Sequence, residues 1–305
     1  MNLHTWRIVQ PIANAFRNSV SGSPDGAPDW VKLMAEDGES YFEPGSAVWE
    51  VHGNLSTLVG GVRALLLQAA HPAPLAGVAE HSRYREDPID RLIGTTRWLT
   101  ITSFAAEHVI LREARRVNEM HSRVKGFYLD KDGVQQKYEA QNERYLLWVH
   151  CAFTDSFLKA HIALRSPFTH SPDQYVRDWS RSAIPLGLTH APQSNAELQE
   201  VIDEFRERDL VVNERTKEVV HFILNPPFSK AALLFYRLLC NSAIATLDPR
   251  DRELLGLSYK STRWVRATAI LLRAFHLLLG PEPPSMTIAR ERIERAKLRQ
   301  QASGT

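Results

Sequence analysis

The sequence predicts an all-α fold, a single globular helical domain built around two long central helices. Three observations predict it. Beyond residue 47 apolar residues recur at spacings of three and four along almost the whole chain. The breaks between these runs carry helix start and stop signals, such as Asp87-Pro88 and Ser171-Pro172, where strands would show alternation. No unit of roughly 20 to 50 residues repeats, which argues against a solenoid. With 305 residues, 44% hydrophobic and 24% charged, the chain can bury a core without disulfide staples and is not a disordered composition.

Residues 1–40 are read as an N-terminal helix, in MNLHTWRIVQPIANAF, followed by a loop-rich segment whose Ser, Gly, Pro and Asp content runs to about residue 47. Residues 41–300 form the helical domain. Asn54 or Ser56 caps a helix through TLVGGVRALLLQAA, which ends at His71-Pro72 because proline lacks the amide and restricts the residue before it. Gly60-Gly61 weakens that helix by about 1 kcal/mol per glycine against alanine, so the pair implies close packing of either a neighbouring helix or a bound group. Asp87 as N-cap and Pro88 at the first helical position start the first long central helix, expected to continue to about Asn118. VKGFYLDKDGVQQ holds a turn or a short strand pair. The second long helix runs from about Asn142 to Leu164, and Ser171-Pro172 opens another. Further helices fit 195–208, 214–224, 228–246, 262–279 and 286–299, separated by breaks such as Asn225-Pro226-Pro227.

The charge balance excludes some functions. A net charge of +2 gives no nucleic-acid footprint. The one basic excess lies between Arg290 and Arg299, where Arg290, Arg292, Arg295, Lys297 and Arg299 face Glu291 and Glu294; it reads as a solvated helical tail or as a contact with something anionic. Cys151 and Cys240, the only cysteines, sit in apolar helical surroundings typical of reduced buried thiols. Gln10, Pro11 and Asn14 break the N-terminal apolar run that a signal peptide needs. No span reaches the length of a transmembrane helix, so the expectation is a cytoplasmic protein without a transmembrane segment.

Familiar catalytic patterns are absent: there is no GxGxxG, Walker loop, GxSxG elbow, HExxH, CxxC or CxxCH. Twelve histidines remain. Glu218 and His221, three apart, resemble half of a di-iron carboxylate site, but such a site needs a second such pair and two more glutamates. His150 interrupts a largely apolar stripe of Leu146, Leu147, Phe153, Phe157 and Leu158. A neutral imidazole there is what a haem iron or another borderline metal takes as ligand, and it is equally what a hydrogen-bonded core histidine looks like. Cys151 next to it offers a thiolate, yet points about 100° away round the helix. Arg91 and Thr95 share one face of the first long helix with Trp98, Leu99 and Thr102. An arginine there suits a buried anion such as a haem propionate, or pairs with Asp87 or Asp90. His71 and His81 are further pocket candidates of low specificity.

These segments, taken in order, resemble a known family. AVWEVHGN is followed by LVGGVRALLLQAAHP, AGVAEHSRYREDPIDRLIGTTRWL and YEAQNERYLLWVHCAFTDSF, then by YVRDWSRSAIPLGL, HFILNPPF and LDPRDRELLGLSY. Across about residues 41–298 the chain resembles the oxygenase family of latex clearing protein, a rubber oxygenase, and MpaB. The resemblance implies an all-helical fold, a non-covalent haem b held by one histidine, and the use of O2 to cleave carbon–carbon double bonds of isoprenoids. The family's WVH histidine matches His150, the implied axial iron ligand. Its Arg-x-x-x-Thr pair matches Arg91 and Thr95, implied to support the haem pocket. Two positions depart from the family pattern: Asn142-Glu143 stands where relatives have Asp-Pro, and Asp178 where many have glutamate. The distal base of the rubber-cleaving members matches no position here, and MpaB's N-terminal membrane helix has no counterpart.

The leading expectation is a haem b-dependent oxygenase acting with O2 on a small apolar substrate, isoprenoid- or lipid-like by extension from relatives. The alternative is a non-enzymatic haem or apolar-ligand binding helical protein. A helical regulator that binds no cofactor is the third reading, and the lack of a concentrated basic recognition helix counts against DNA binding.

Overall fold

A computed structural model describes residues 28–81, 88–280 and 282–303, with the backbone alone along 78–81 and 88–93 and at 231, 278 and 279. The expected N-terminal helix and the Asp87 cap lie outside the described residues. After a 3-10 turn at Asp29–Ala35 come α1 (Ala47–His52), α2 (Thr57–Ala69), α3 (Pro72–His81), α4 (Pro88–Phe104) and α5 (Glu107–His121). A β-hairpin of β1 (Lys125–Leu129) and β2 (Gln135–Glu139) leads into α6 (Glu143–Ala163). Then follow α7 (Pro172–Ser180), a 3-10 turn at Arg181–Leu186, α8 (Asn195–Arg208), α9 (Glu214–Leu224), α10 (Lys230–Thr246), α11 (Pro249–Leu254), α12 (Thr262–Leu279) and α13 (Pro284–Ser303). The fold is mostly helical, as the sequence predicts, and the expected strand pair is present in antiparallel register with Lys125 opposite Glu139.

Local chemistry explains most helix ends. Asn142 accepts a hydrogen bond from the Arg144 amide, so the Asn142-Glu143 departure still provides a cap. Ser171 caps α7 with Pro172 in its first turn, and Asn213 and Thr216 form a reciprocal capping box on α9. At α2 the two cap candidates divide the work. Asn54 Oδ1 accepts from the Ser56 amide, while the Ser56 hydroxyl is spent on His161.

One long helix of the sequence reading is two. The expected run from 88 to 118 breaks at Ala105–Ala106, where Ala106 turns extended and bridges Ser40, and the Glu107 amide donates to the Glu39 carbonyl. A tertiary partner thus takes an amide that would have continued the helix. Arg97 on α4 then grips Glu113 on α5 through two parallel bonds of 2.9 and 2.7 Å, fixing the helices against each other. The central pair is accordingly α2 and α6, which pack along their lengths. They run antiparallel: Gly60 lies against Phe157, Arg63 against Asp155, and His71, just past α2, against Trp148.

α6 divides two apolar cores. Trp148, Ala152 and Ala160 join the core with α2, α9, α10 and α12. Cys151, Phe157 and Leu158 join the core with α1, α4, α7 and α8. Buried in this partition is an ion pair. Arg63 donates to Asp155 at 2.6 Å and to Ser156 at 3.0 Å, and Lys159 and Gln199 complete the carboxylate's bonds. The basic C-terminal run is no free tail. Arg292 is buried and donates to the Met34 carbonyl and Ser40, and Arg299 pairs with Asp37, so α13 clasps the Asp29–Ala35 turn and its surroundings.

Gly60 and Gly61 differ. A Cβ on Gly60 would lie 2.6 Å from the Phe157 ring and 3.1 Å from its Cα, whereas one on Gly61 would meet nothing within 4 Å. Gly60 is therefore the place where α2 and α6 close. Gly60→Ala is expected to lose about 2 kcal/mol net, because overpacking outweighs the better helix propensity; Gly61→Ala is expected to be neutral or to gain up to about 1 kcal/mol. Urea unfolding midpoints of the two variants measure this, and equal midpoints would contradict it.

Candidate functional site

His150 sits near the middle of α6 with 9% of its surface exposed. Burial lowers its pKa to about 4, so the imidazole is neutral at pH 7. The Thr154 hydroxyl one turn later donates to the His150 carbonyl at 2.7 Å and lies 3.4 Å from Nε2. Its proton committed, Thr154 can only accept from the ring. No other hydrogen bond from a described residue reaches the imidazole, so among the described residues one ring nitrogen keeps its lone pair uncommitted, the electronic requirement of a metal ligand. Leu146, Val149 and Phe153 flank it on α6 as half-buried apolar side chains.

The other sequence candidates fall in different places. Arg91 and Thr95 both lie on α4, four apart and on one face. Thr95 is half-buried, while the Arg91 side chain is outside the described residues, as is that of His81. Further along the same face, Thr102 is fully buried and its hydroxyl has no hydrogen-bond partner. Gln68 on α2, between the levels of the Arg63–Asp155 and His71–Trp148 contacts, also holds an amide nitrogen buried without a partner. Such orphaned groups are what a partly polar bound molecule satisfies.

Cys151 is fully buried, and burial with the nearby Asp155 and Glu197 carboxylates pushes its thiol pKa well up, which removes the thiolate alternative. His71 Nδ1 accepts from the Ala73 amide at 3.2 Å, so the neutral ring carries its proton on Nε2. That nitrogen is buried without a partner, and the ring is a donor, not a ligand. Glu218 and His221 are exposed on α9, and no cluster of three or more His, Cys, Asp or Glu able to hold a metal occurs among the described residues. Among the described residues the half di-iron motif therefore has no second half.

Two histidines that sequence reasoning passed over are satisfied structural residues. Ser103 donates to the Leu99 carbonyl, so it accepts from His52 Nδ1 at 3.0 Å; His52 Nε2 then accepts from Tyr175 at 2.9 Å. This directed chain ties α1, α4 and α7 together, with His52 packed 4.2 Å from the Trp179 ring. Burial, with a small contribution from His161, lowers the His52 pKa to about 3. His161 donates from Nε2 to the Pro167 carbonyl and accepts from Ser56 on Nδ1.

Among the described residues His150, unlike both, has no such second partner. It also falls inside the region that a family comparison picks out. The family model of the ER-bound oxygenase mpaB/B' and rubber oxygenase catalytic domain matches residues 49–279. The chain belongs to this oxygenase family. The match takes in α2, α4 and α6, and with them His150, Arg91 and Thr95, and its upper bound coincides with the end of α12. No curated protein matches the chain. Among the described residues no helix is long and apolar enough to cross a membrane.

Proposed function

We propose that this family member is a haem b-dependent oxygenase in which His150 would hold the haem iron. The observation that carries the proposal is the state of His150: a buried, neutral imidazole with one nitrogen uncommitted among the described residues, in the WVH segment of an oxygenase-family chain. The surroundings fit the group. Leu146, Val149 and Phe153 on the same helix present the apolar surface that a haem ring needs beside its ligand.

Haem iron, when bound, supplies the activation of O2. The chain's residues supply the rest. Thr154 holds the His150 ring in one orientation on a rigid helix. Arg91 and Thr95, which share one face of α4, would support the haem environment. The half-buried apolar side chains of α6 hold an apolar substrate and exclude water from the reacting atoms. The substrate class is a small apolar molecule with a carbon–carbon double bond, isoprenoid- or lipid-like, and the protein works without a nucleic-acid partner.

The test is O2 uptake by haem-reconstituted protein supplied with a short polyisoprenoid. The expected result is O2 consumption with carbonyl products, lost at least about a hundredfold in His150→Ala. Haem-loaded protein that consumes no O2 with any unsaturated isoprenoid or lipid would leave a haem-binding protein in place of an oxygenase.

A further inference from the structure

One side of α12 faces away from the core. Val265, Thr268 and Leu272 are buried against the rest of the domain, with α10 as the main neighbour. On the opposite side Ile270 and Leu277 are 68% and 74% exposed. Residues seven apart fall on nearly one line of a helix. Ile270 and Leu277 make such a line, continuing to Arg263. Arg266 and Arg273 make a second line along one flank, and Ala267 and Ala274 a third along the other, all exposed. On α10 Leu234 is 75% exposed, between exposed Lys230 and Arg237.

Along α12 and α10 themselves the charge has one sign. No Asp or Glu occurs anywhere in residues 254–281 or 219–247, the stretches that contain α12 and α10. A second copy docked here about a two-fold axis would bring arginine against arginine around the apolar line, which is destabilising. A surface that is apolar inside and anionic at its boundary complements the pattern instead: the leucine and isoleucine enter it, and the arginines extend to its charged layer.

We propose that the exposed face of α12, with Leu234, Lys230 and Arg237 of α10 beside it, is a docking surface for anionic phospholipid bilayers. The protein lies on the bilayer through this face and does not span it. The inference rests on exposure and charge alone and is independent of the haem reading.

The test is co-flotation of the full chain with vesicles of phosphatidylcholine, with and without phosphatidylserine. The expected result is binding about tenfold stronger with phosphatidylserine, weakening as salt rises. Arg263→Glu with Arg266→Glu, and separately Ile270→Ser with Leu277→Ser, are each expected to weaken it about tenfold or more, with far-ultraviolet circular dichroism unchanged because these side chains are exposed. Equal binding to both vesicle types, or none, would overturn the proposal. So would undiminished binding by both double variants. A lipid-independent dimer that Ile270→Ser dissolves, or binding of a purified acidic protein through this face with no vesicle binding, would assign it to a protein partner and equally overturn the proposal.

Discussion

Asp155→Ala is expected to destabilise the fold by about 3–5 kcal/mol, the largest effect of any single substitution considered for this chain. The variant leaves the Arg63 guanidinium in the core, its side chain fully buried, without its carboxylate. That charge cannot be rehydrated without separating α2 from α6. Burial by itself would raise the Asp155 carboxyl, but Arg63 and Lys159 beside it, and the bonds from Lys159 and Gln199, outweigh burial and hold its pKa near 2. The sign of the pH effect follows. A folded pKa below the unfolded value near 3.8 gives stability that is present above about pH 4 and lost as pH falls through about 2. Replacing both partners, Arg63→Met with Asp155→Leu, is expected to cost far less than Asp155→Ala alone, since no uncompensated charge remains. Urea unfolding of the single and double variants measures the difference, and equal losses would contradict it.

Acid is expected to destabilise the protein well before Asp155 titrates. His52 and His71 are buried as neutral rings, with pKa values lowered by burial to about 3 and about 4, from an ordinary 6.5. For His71 the Asp209 carboxylate opposes and the Arg144 guanidinium assists that shift. Below about pH 6 the unfolded chain binds these two protons while the folded protein does not. Stability therefore falls with falling pH, by about 1.4 kcal/mol per pH unit for each proton: roughly 3 kcal/mol per unit between pH 6 and 5 from His52 and His71, and about 1.4 more from His150 when its ring is unligated. Against a typical total of about 5–15 kcal/mol this is a large fraction. The urea midpoint is expected to drop steeply from pH 7 to pH 5, and less steeply in His52→Gln. A midpoint flat across that range would contradict the burial of neutral histidines.

How legible these features are in the sequence depends on whether their cause is local. Asn142 and Ser171-Pro172 act within one turn of themselves, so α6 and α7 begin where the sequence says. The end of α4 depends on Glu39 and Ser40, far off in sequence, and the unbroken apolar spacing through Ala105 and Ala106 conceals it. Pro72 marks the end of α2, yet α3 starts at that same proline, because His71 Nδ1 takes the orphan amide of Ala73 as a cap would.

The site divides in the same way. His150 stands out as one polar residue in an apolar stripe, and the family resemblance supplies its meaning. Arg63 and Asp155 carry the same signal, each a lone charge in an apolar helical run, LVGGVRALLLQ and CAFTDSFL, and opposite in sign. Pairing them needs the antiparallel alignment of α2 and α6, which no spacing within either helix encodes. The chain from Tyr175 through His52 to Ser103 draws on three helices and has no local signature at all.

The central claim is that His150 ligates haem iron, and the most direct measurement is the ultraviolet–visible spectrum of the purified protein from haem-supplemented expression. Spectra are recorded oxidised, reduced, and reduced with carbon monoxide, for the wild type and His150→Ala. The expected result is a Soret band in the wild type that shifts on reduction and again with carbon monoxide, and its loss in a His150→Ala protein that keeps its helical circular dichroism. A fully folded wild type with no Soret band even after haem reconstitution, or a His150→Ala variant with an unaltered haem spectrum, would contradict it.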